Sequence, residues 1–322
     1  MTTILPEGGN SKLKLETKNK SYPLQDSPFH KLTSKKQLRK LLDIDSEKLK
    51  KLRQDKGNYS EFENVSDSGK ARKIQKPTRE LDVVHTRIAS LLCRISTPDY
   101  LHSGKKQHSN VTNARQHKNE YALLATDVKS FFSSTTWNMV FSFFYGVMKC
   151  SSDVSEILSD LCTCHKHIPT GSRISMPLAF WANIRMFSEL DCLSNKHGVT
   201  MTVYVDDLTF SGREVNNLFR SSVKKIINKH GHIMHPTKTK LYKPNQPKLV
   251  TGVVVNGGHL KVRNEQHFKM HQELQIWCKI KDTPYALSSS ITSQLLGRLH
   301  AMGTIDDRFK QKARTIKLST AP

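Results

Sequence analysis

The chain has 322 residues, room for one large lobed protein or two ordinary domains, and 36% hydrophobic residues, a core with little to spare. Its 51 Lys and Arg against 28 Asp and Glu leave a formal net charge of +23. A surplus of that size repels itself unless a polyanion neutralises it, so nucleic acid is the expected partner and a partnerless basic surface is disfavoured. No run approaches the ~20 apolar residues a membrane span needs. The opening MTTILPEGGNSKLKLETK has neither a signal-peptide apolar core nor a small-residue cleavage site. The expectation is a cytoplasmic protein with no membrane partner. Its six unevenly placed cysteines read as reduced thiols rather than a disulfide framework.

In chain order, residues 1–30 show no hydrophobic period and read as a flexible lead-in. Thr33 or Ser34 can cap a helix carrying Leu38, Leu41 and Leu42; Asp45 or Ser46 can cap a second with Leu49 and Leu52. Residues 58–65 and 71–76 predict two strands around the turn Ser66-Asp67-Ser68-Gly69. After Pro77, Thr78 can cap a helix whose apolar face is Leu81, Val84, Ile88, Leu91 and Leu92. Residues 97–120 read as loop. Tyr121 to Asp127 is a short apolar strand followed by Phe131-Phe132. Helices are expected at 135–148, 153–162 and from Pro177 to about Lys196. Thr200–Val205 and Leu208–Ser211 form a hairpin with Asp206-Asp207 at its tip. Glu214–Lys229 predicts an amphipathic helix with Val215, Leu218, Phe219, Val223 and Ile226–Ile227 inward. Lys248–Val255 reads as one strand, and Glu265 onward as mainly helical.

The most specific local feature is Tyr204-Val205-Asp206-Asp207. Adjacent acids between β-rich segments repel each other unless something offsets the charge. On a tight hairpin they can face a divalent cation, with Asp127, at the end of a separate strand, as the opposing ligand. Hard oxygen donors of this kind suit Mg²⁺, which keeps substrate phosphates in its shell. The pattern fits two-metal, in-line phosphoryl transfer. Cys162-Thr163-Cys164-His165-Lys166-His167, with Cys150 upstream, invites a zinc assignment. Its ligands crowd tighter than the usual paired spacings, and no second pair completes a tetrahedron, so a helix end and turn is the favoured reading.

Tyr204-Val205-Asp206-Asp207 resembles the Y-x-D-D turn of reverse transcriptases, and Ala125-Thr126-Asp127-Val128-Lys129-Ser130-Phe131-Phe132 their first catalytic motif. The resemblance implies an α+β right-hand polymerase with fingers, a palm of antiparallel sheet plus helices, and a helical thumb. It assigns catalysis to Asp127, Asp206 and Asp207, and adds Val128 to the metal set. The metal would be two Mg²⁺ ions, with Mn²⁺ as a substitute. Phe132 corresponds to the aromatic that excludes a 2′-hydroxyl; of the two rings, one is expected in the core and one at the site. Gly69 to Ile74 resembles the fingers hairpin, with Lys70 and Arg72 toward the triphosphate. Gly231 to Lys238 resembles the palm segment whose lysine, here Lys238, lies near the nucleotide phosphates. Pro169-Thr170-Gly171-Ser172 stands where the family has P-Q-G, with Gly171 allowing close approach to the nucleotide. Thr170 and Arg173 depart from the usual Gln and Pro.

Asn113-Ala114-Arg115-Gln116-His117 and Val250-Thr251-Gly252 are similar to the N-A-x-x-H and V-T-G elements of bacterial retron enzymes. That narrower resemblance implies an enzyme that binds its own structured non-coding RNA and copies part of it into branched, multicopy single-stranded DNA. It implies dNTPs as substrates and a role in anti-phage defence. Asn113, His117, Val250, Thr251, Gly252, Lys261, Arg263 and Arg298 are the candidate RNA contacts, the last three on a basic thumb suited to gripping phosphates; for His117 a structural role, packing a loop against the palm, stands equally open. The implied layout is a lead-in at 1–30, helices at 31–57, fingers at 58–120, a palm at 121–255 with a fingers-side insertion near 149–172, and a thumb at 256–322. The chain leaves little room for a fused effector, so an effector protein acting in trans is expected. The competing readings are a group II intron or diversity-generating reverse transcriptase, and a non-catalytic RNA-binding scaffold or antitoxin component.

Overall fold

A computed structural model of the chain describes residues 21–54, 57–65, 69 and 71–319. A 3-10 turn at Leu24–Asp26 leads to α1 (Lys35–Leu42) and α2 (Ser46–Gln54). β1 (Tyr59–Val65) and β2 (Ala71–Pro77) follow, then α3 (Arg79–Leu92), α4 (Asn110–Arg115) and β3 (Leu123–Asp127). α5 (Phe131–Ser134) and α6 (Trp137–Ser142) pass through a π-helical turn at Phe143–Val147 to α7 (Ser152–Cys162). Next are α8 (Ser175–Ala182), α9 (Ile184–Lys196), β4 (Thr200–Tyr204), β5 (Asp207–Ser211) and α10 (Asn217–Lys229). Four short strands follow: β6 (Lys240–Tyr242), β7 (Lys248–Val250), β8 (Val253–Asn256) and β9 (His259–Lys261). The chain closes with α11 (Asn264–Ile280), α12 (Ser290–Gly303) and α13 (Asp307–Ser319). This is the expected α+β class with antiparallel sheets and a helical C-terminal part. Among the described residues no helix is long and apolar enough to cross a membrane. All six cysteines are free thiols.

The residues divide into two compact units, one of residues up to 98 with 130–185, the other of 99–129 with 186 onward. In the first, Ser34 accepts from the Gln37 amide to start α1, and Asp45 accepts from the Lys48 amide to start α2. β1 and β2 pair antiparallel with Phe62 opposite Ile74. The stripe Leu81, Val84, Ile88, Leu91 and Leu92 of α3 is buried, as its period requires. Residues 21–30 correct the reading of a flexible lead-in: Tyr22 bridges to Ile95 and donates its hydroxyl to the Leu91 carbonyl, and Phe29 is fully buried. Residues 1–20 lie outside the described set.

In the second unit, a four-stranded antiparallel sheet runs β4-β5-β3-β6, with β3 in its interior. The five residues of β3 are nearly all buried, as expected of a strand covered on both faces. A second antiparallel sheet runs β7-β8-β9. The C-terminal helices pack around Met270, Trp277, Leu295, Leu299, Met302, Ala313 and Ile316.

Several boundaries differ from the sequence reading. The 97–120 loop contains α4, because Ser109 accepts from the Thr112 amide while the Thr112 hydroxyl accepts from the Ser109 amide. Residues 248–255 are two strands, split at Thr251 and Gly252 by positive φ of 42° and 84°, a pairing that reverses the chain. The Pro177–Lys196 helix breaks at Asn183, and 135–148 breaks into α6 and the π-helical turn. α10 starts from Asn216, whose side chain caps the Leu218 and Phe219 amides. That start leaves Leu218 exposed, not inward.

Candidate active site

The register of β3 on β5 places Asp127 opposite Asp207, and that of β4 on β5 places Tyr204 opposite Asp207. Asp207 therefore opens β5, and Val205-Asp206 form the two-residue tip. Val205 has φ of 60°, which a β-branched residue adopts only under strain. The Ser103 hydroxyl accepts from its amide at 2.9 Å and helps hold it there. The Val128 amide donates to the Asp206 carbonyl at 3.0 Å, fixing the tip against the end of β3. On the other side of β3, His235 donates its amide to the Asp127 carbonyl (2.8 Å) and Lys129 donates to the Ile233 carbonyl (2.8 Å). The segment 231–239 is thereby stitched alongside, with Thr126 and Thr239 hydroxyls 2.7 Å apart. Lys238 reaches back from it to ion-pair with the buried carboxylate of Asp127.

The electrostatics follow from this crowding. Burial first, then the negative charges of Asp206 and Asp127, push the Asp207 carboxyl up to about 6, with Lys238 opposing. The Lys238 ammonium is held above its ordinary value, chiefly by its hydrogen bond to Asp127. Asp127, Asp206 and Asp207 thus crowd one end of a strand pair, with the Lys238 ammonium beside them. That donor set is hard and all-oxygen, so it fits Mg²⁺ or Mn²⁺. Asp127, Val128, Asp206, Asp207 and Lys238 thus share one unit and one sheet end.

The other expected nucleotide residues lie in the first unit. Arg72 is exposed on β2; Lys70 lies outside the described residues. Phe131 is buried, the ring in the core, and Phe132 is partly exposed; both sit on the helix α5 rather than a strand. Gly171 donates its amide to the Gln75 carbonyl at 3.1 Å, and a Cβ there would come within 2.8 Å of both that oxygen and Ile74 Cγ2. The two departures from P-Q-G gain partners. The Thr170 hydroxyl donates to the Lys73 carbonyl (2.8 Å) and accepts from the Gln75 amide (3.3 Å), and Arg173 pairs with Asp82 at 3.5 Å. His85, fully buried, donates from Nε2 to the Leu161 carbonyl and so offers Nδ1 to the Ser172 hydroxyl, both at 2.7 Å. The loop 169–172 is thus fastened to β2 and α3.

The expected RNA contacts divide. Asn113 and His117 are buried, which for His117 agrees with the structural role the sequence offers beside RNA contact. Asn113 donates to the Thr251 hydroxyl (3.2 Å), and Asn110 to the Thr251 carbonyl (3.1 Å). The His117 ring sits between the Ser211 and Thr202 hydroxyls, each at 2.7 Å, and burial lowers its pKa to about 3. Val250 is buried with Val253 and Val255 against Val111, Ala114 and Leu123. Thr251 is half-buried and Gly252 exposed at the turn, so the two motifs form one internal lock. Arg298 is also committed, pairing with Glu273 at 2.6 Å and donating to Gln266. Arg263 pairs with Glu265 at 2.9 Å, and Lys261 is exposed at the end of β9. Ser103 and Gln75, whose backbone grips the 169–172 loop, were invisible in the sequence: nothing in a polar loop or a basic strand marks either.

No family model matches the chain. It is 26% identical over 212 residues to the retron Ec86 reverse transcriptase of Escherichia coli, covering 64% of this chain and 66% of that one. It is 27% identical over 241 residues to the retron Mx65 reverse transcriptase of Myxococcus xanthus, covering 67% and 56%. A third relative, the retron Ec48 reverse transcriptase of Escherichia coli, is 20% identical over 93% of this chain and 79% of its own. Among solved structures, the foamy viral protease-reverse transcriptase in complex with double-stranded DNA gives a TM-score of 0.45 at 15% identity, over 82% of this chain and 40% of that one. The alignments with the Ec86, Se72 and Mx65 proteins span 56–66% of those relatives' lengths. The named relatives to which this sequence is similar are retron reverse transcriptases.

Proposed function

We propose that the chain is an RNA-directed DNA polymerase of retron type that copies part of its own structured non-coding RNA into branched, multicopy single-stranded DNA. The observation that carries the reading is the strand register that sets Asp127 against Asp207, with Asp206 at the adjoining tip and Lys238 on Asp127. Asp127, Asp206 and Asp207, with the Val128 carbonyl, would hold two Mg²⁺ ions. Bound there, the ions supply activation of the attacking hydroxyl and charge neutralisation on the triphosphate.

The protein's own groups do the rest. Lys238 neutralises Asp127 in the free site, and its half-exposed ammonium is free to turn to an incoming phosphate. The strained tip at Val205, held by Ser103 and by Val128, fixes Asp206 before any substrate arrives, so little reorganisation is left for the reaction. Phe132, five residues after Asp127, keeps the role of rejecting a 2′-hydroxyl. Arg72, Lys70 and Gly171 keep that of triphosphate and nucleotide contacts, and Lys261 and Arg263 that of phosphate contacts on the RNA. The net charge of +23 supports a nucleic-acid partner. An effector acting in trans in anti-phage defence belongs to the same reading, and native co-purification that yields no protein partner would count against it.

The test is expression of the gene with a few hundred flanking bases of its locus, followed by isolation of small RNase-resistant DNA. A product is expected from the natural sequence and none from the Asp206→Asn, Asp207→Asn double variant. A product that survives the double substitution sinks the catalytic assignment.

A further inference from the structure

Nothing near the C-x-C-H-x-H run in the sequence completes a ligand set. The folded chain brings the missing donor from a distant strand. Cys164 and His167 pair through Cys164 N–H to His167 O (2.8 Å) and His167 N–H to Cys164 O (3.0 Å). Between them His165 and Lys166 both take positive φ, 49° and 64°, a tight reversal that swings the imidazole back toward β1. There it meets Glu61: His165 Nε2 lies 2.6 Å from Glu61 Oε1, and Cys164 Sγ lies 3.9 Å from the same oxygen. One thiol, one imidazole and one carboxylate thus converge with their donor atoms all within 4.8 Å of one another.

A separate feature points to the same spot. Gln75 is 2% exposed, its Nε2 lies 3.2 Å from Glu61 Oε1, and its Oε1 is buried with no hydrogen-bond partner among the described residues. An orphaned buried acceptor is costly. Turning the carboxamide over would aim that oxygen at Glu61 Oε1, the atom Cys164 and His165 also approach, an arrangement two acceptors alone would resist and a cation would stabilise. Lys73 occupies the other oxygen of Glu61, Oε2, at 2.6 Å, so Oε1 remains the inward one. A cavity of about 380 Å³, lined by Lys73, Gln75, Ser133, His165, His167 and Thr170, gives an ion a way in.

We propose that Glu61, Cys164, His165 and Gln75 form a site for a borderline-soft divalent metal of the zinc class, distinct from the carboxylate site. Thiolate and imidazole select such an ion over Mg²⁺. Metal–ligand bonds of ~2.0–2.3 Å place tetrahedral donors roughly 3.3–3.8 Å apart. The Cys164 to Glu61 separation is already close to that, and the shorter His165 to Glu61 separation widens when an ion replaces the shared proton. Binding releases the thiol proton to solvent, and the imidazole binds through Nε2 as its Nδ1–H tautomer. Cys162 is fully buried at the end of α7, Cys150 donates to the Phe29 carbonyl, and His167 Nδ1 donates to the Ile168 carbonyl, so none of these is in the set. The ion would pin β1 of the hairpin to the turn after α7.

The test uses the full chain, stripped of metal and titrated with Co²⁺, then with Zn²⁺. A thiolate-to-cobalt charge-transfer band should appear, bleach on adding a single equivalent of Zn²⁺, and be absent in Cys164→Ser. It should persist in Cys192→Ser, an exposed thiol elsewhere, and in the Asp206→Asn, Asp207→Asn double variant. A saturating Co²⁺ spectrum of the natural chain without that band overturns the proposal whether or not Cys164→Ser folds. A band that survives in folded Cys164→Ser, or disappears only with the two aspartates, overturns it equally. None of these readouts depends on polymerase activity.

Discussion

Asp207→Asn should stabilise the metal-free protein while removing its activity. The Asp207 carboxyl stands at about 6 against an ordinary 3.8, so its charged form is disfavoured in the folded chain. At ~1.4 kcal/mol per pH unit the penalty at neutral pH is at most about 3 kcal/mol. Partial contact with water reduces it to roughly 2 kcal/mol. Because the folded value is raised, the penalty is absent below about pH 4, where Asp207 is neutral folded and unfolded alike, and is full above about pH 6. Asparagine keeps the shape and never ionises. Thermal melting in excess chelator should therefore show Asp207→Asn higher by about 4–8 °C at pH 7.5, given ~2–4 °C per kcal/mol for a unit of this size. At pH 4 the two proteins should melt together. A gain of the same size at both pH values, or a loss at pH 7.5, would refute the reasoning, since neither can come from charge crowding. Adding Mg²⁺ should then raise the melting temperature of the natural chain more than that of the variant.

Other substitutions test other parts of the framework. Gly171→Ala forces a Cβ to within 2.8 Å of Gln75 O and Ile74 Cγ2 and should cost about 1–3 kcal/mol by denaturant titration; an unchanged midpoint would mean the 169–172 loop is not held to β2. His117→Ala removes a buried ring and both its hydrogen bonds and should destabilise by about 3 kcal/mol. The folded fraction should retain RNA at the parent's affinity under equal salt; a selective loss of RNA binding at full stability would restore His117 as a contact. Lys238→Gln should raise KM for dNTPs roughly tenfold or more, the value of a charge-assisted contact, and an unchanged KM would remove Lys238 from phosphate binding. Arg298→Met strands the mostly buried Glu273 and should cost roughly 2 kcal/mol, visible as faster amide exchange in α11 and α12.

The parts of the site that were legible in the sequence are those whose signal is local. Adjacent Asp206 and Asp207 alone would read as an ordinary acidic turn; a separate strand ending in Asp127 and followed by Phe131-Phe132 is what makes them legible as a site. The helices α1, α2 and α3 were readable because side-chain caps or a 3.6-residue stripe mark them. α4 was not, because its box is closed by Thr112 where a Glu or Gln would have signalled it. The strand break at Thr251 was hidden because threonine rarely takes positive φ, and only the pairing of β7 with β8 reveals the need. Asn113 and His117 stood out through the N-A-x-x-H element, which says nothing of what they touch. Their partners, Thr251, Ser211 and Thr202, lie far along the chain, and burial is a property of the fold rather than of the segment. Glu61 is the same case: its meeting with Cys164 and His165 depends on the register of a hairpin and on two consecutive left-handed residues.

The interior position of β3 has a consequence for biogenesis. This strand leaves the ribosome with both faces apolar and both edges open, and its partners come late: Ala125 pairs with Thr209 on one side and Lys240 on the other. At ~5–20 residues per second, the wait for the second edge is roughly 5–25 s. During that interval Leu123 and Leu124 are unsatisfied hydrophobic surface on a nascent chain. Slow codons placed between Ser211 and Lys240 should therefore lower soluble yield, whereas the same pause after Tyr242 should not.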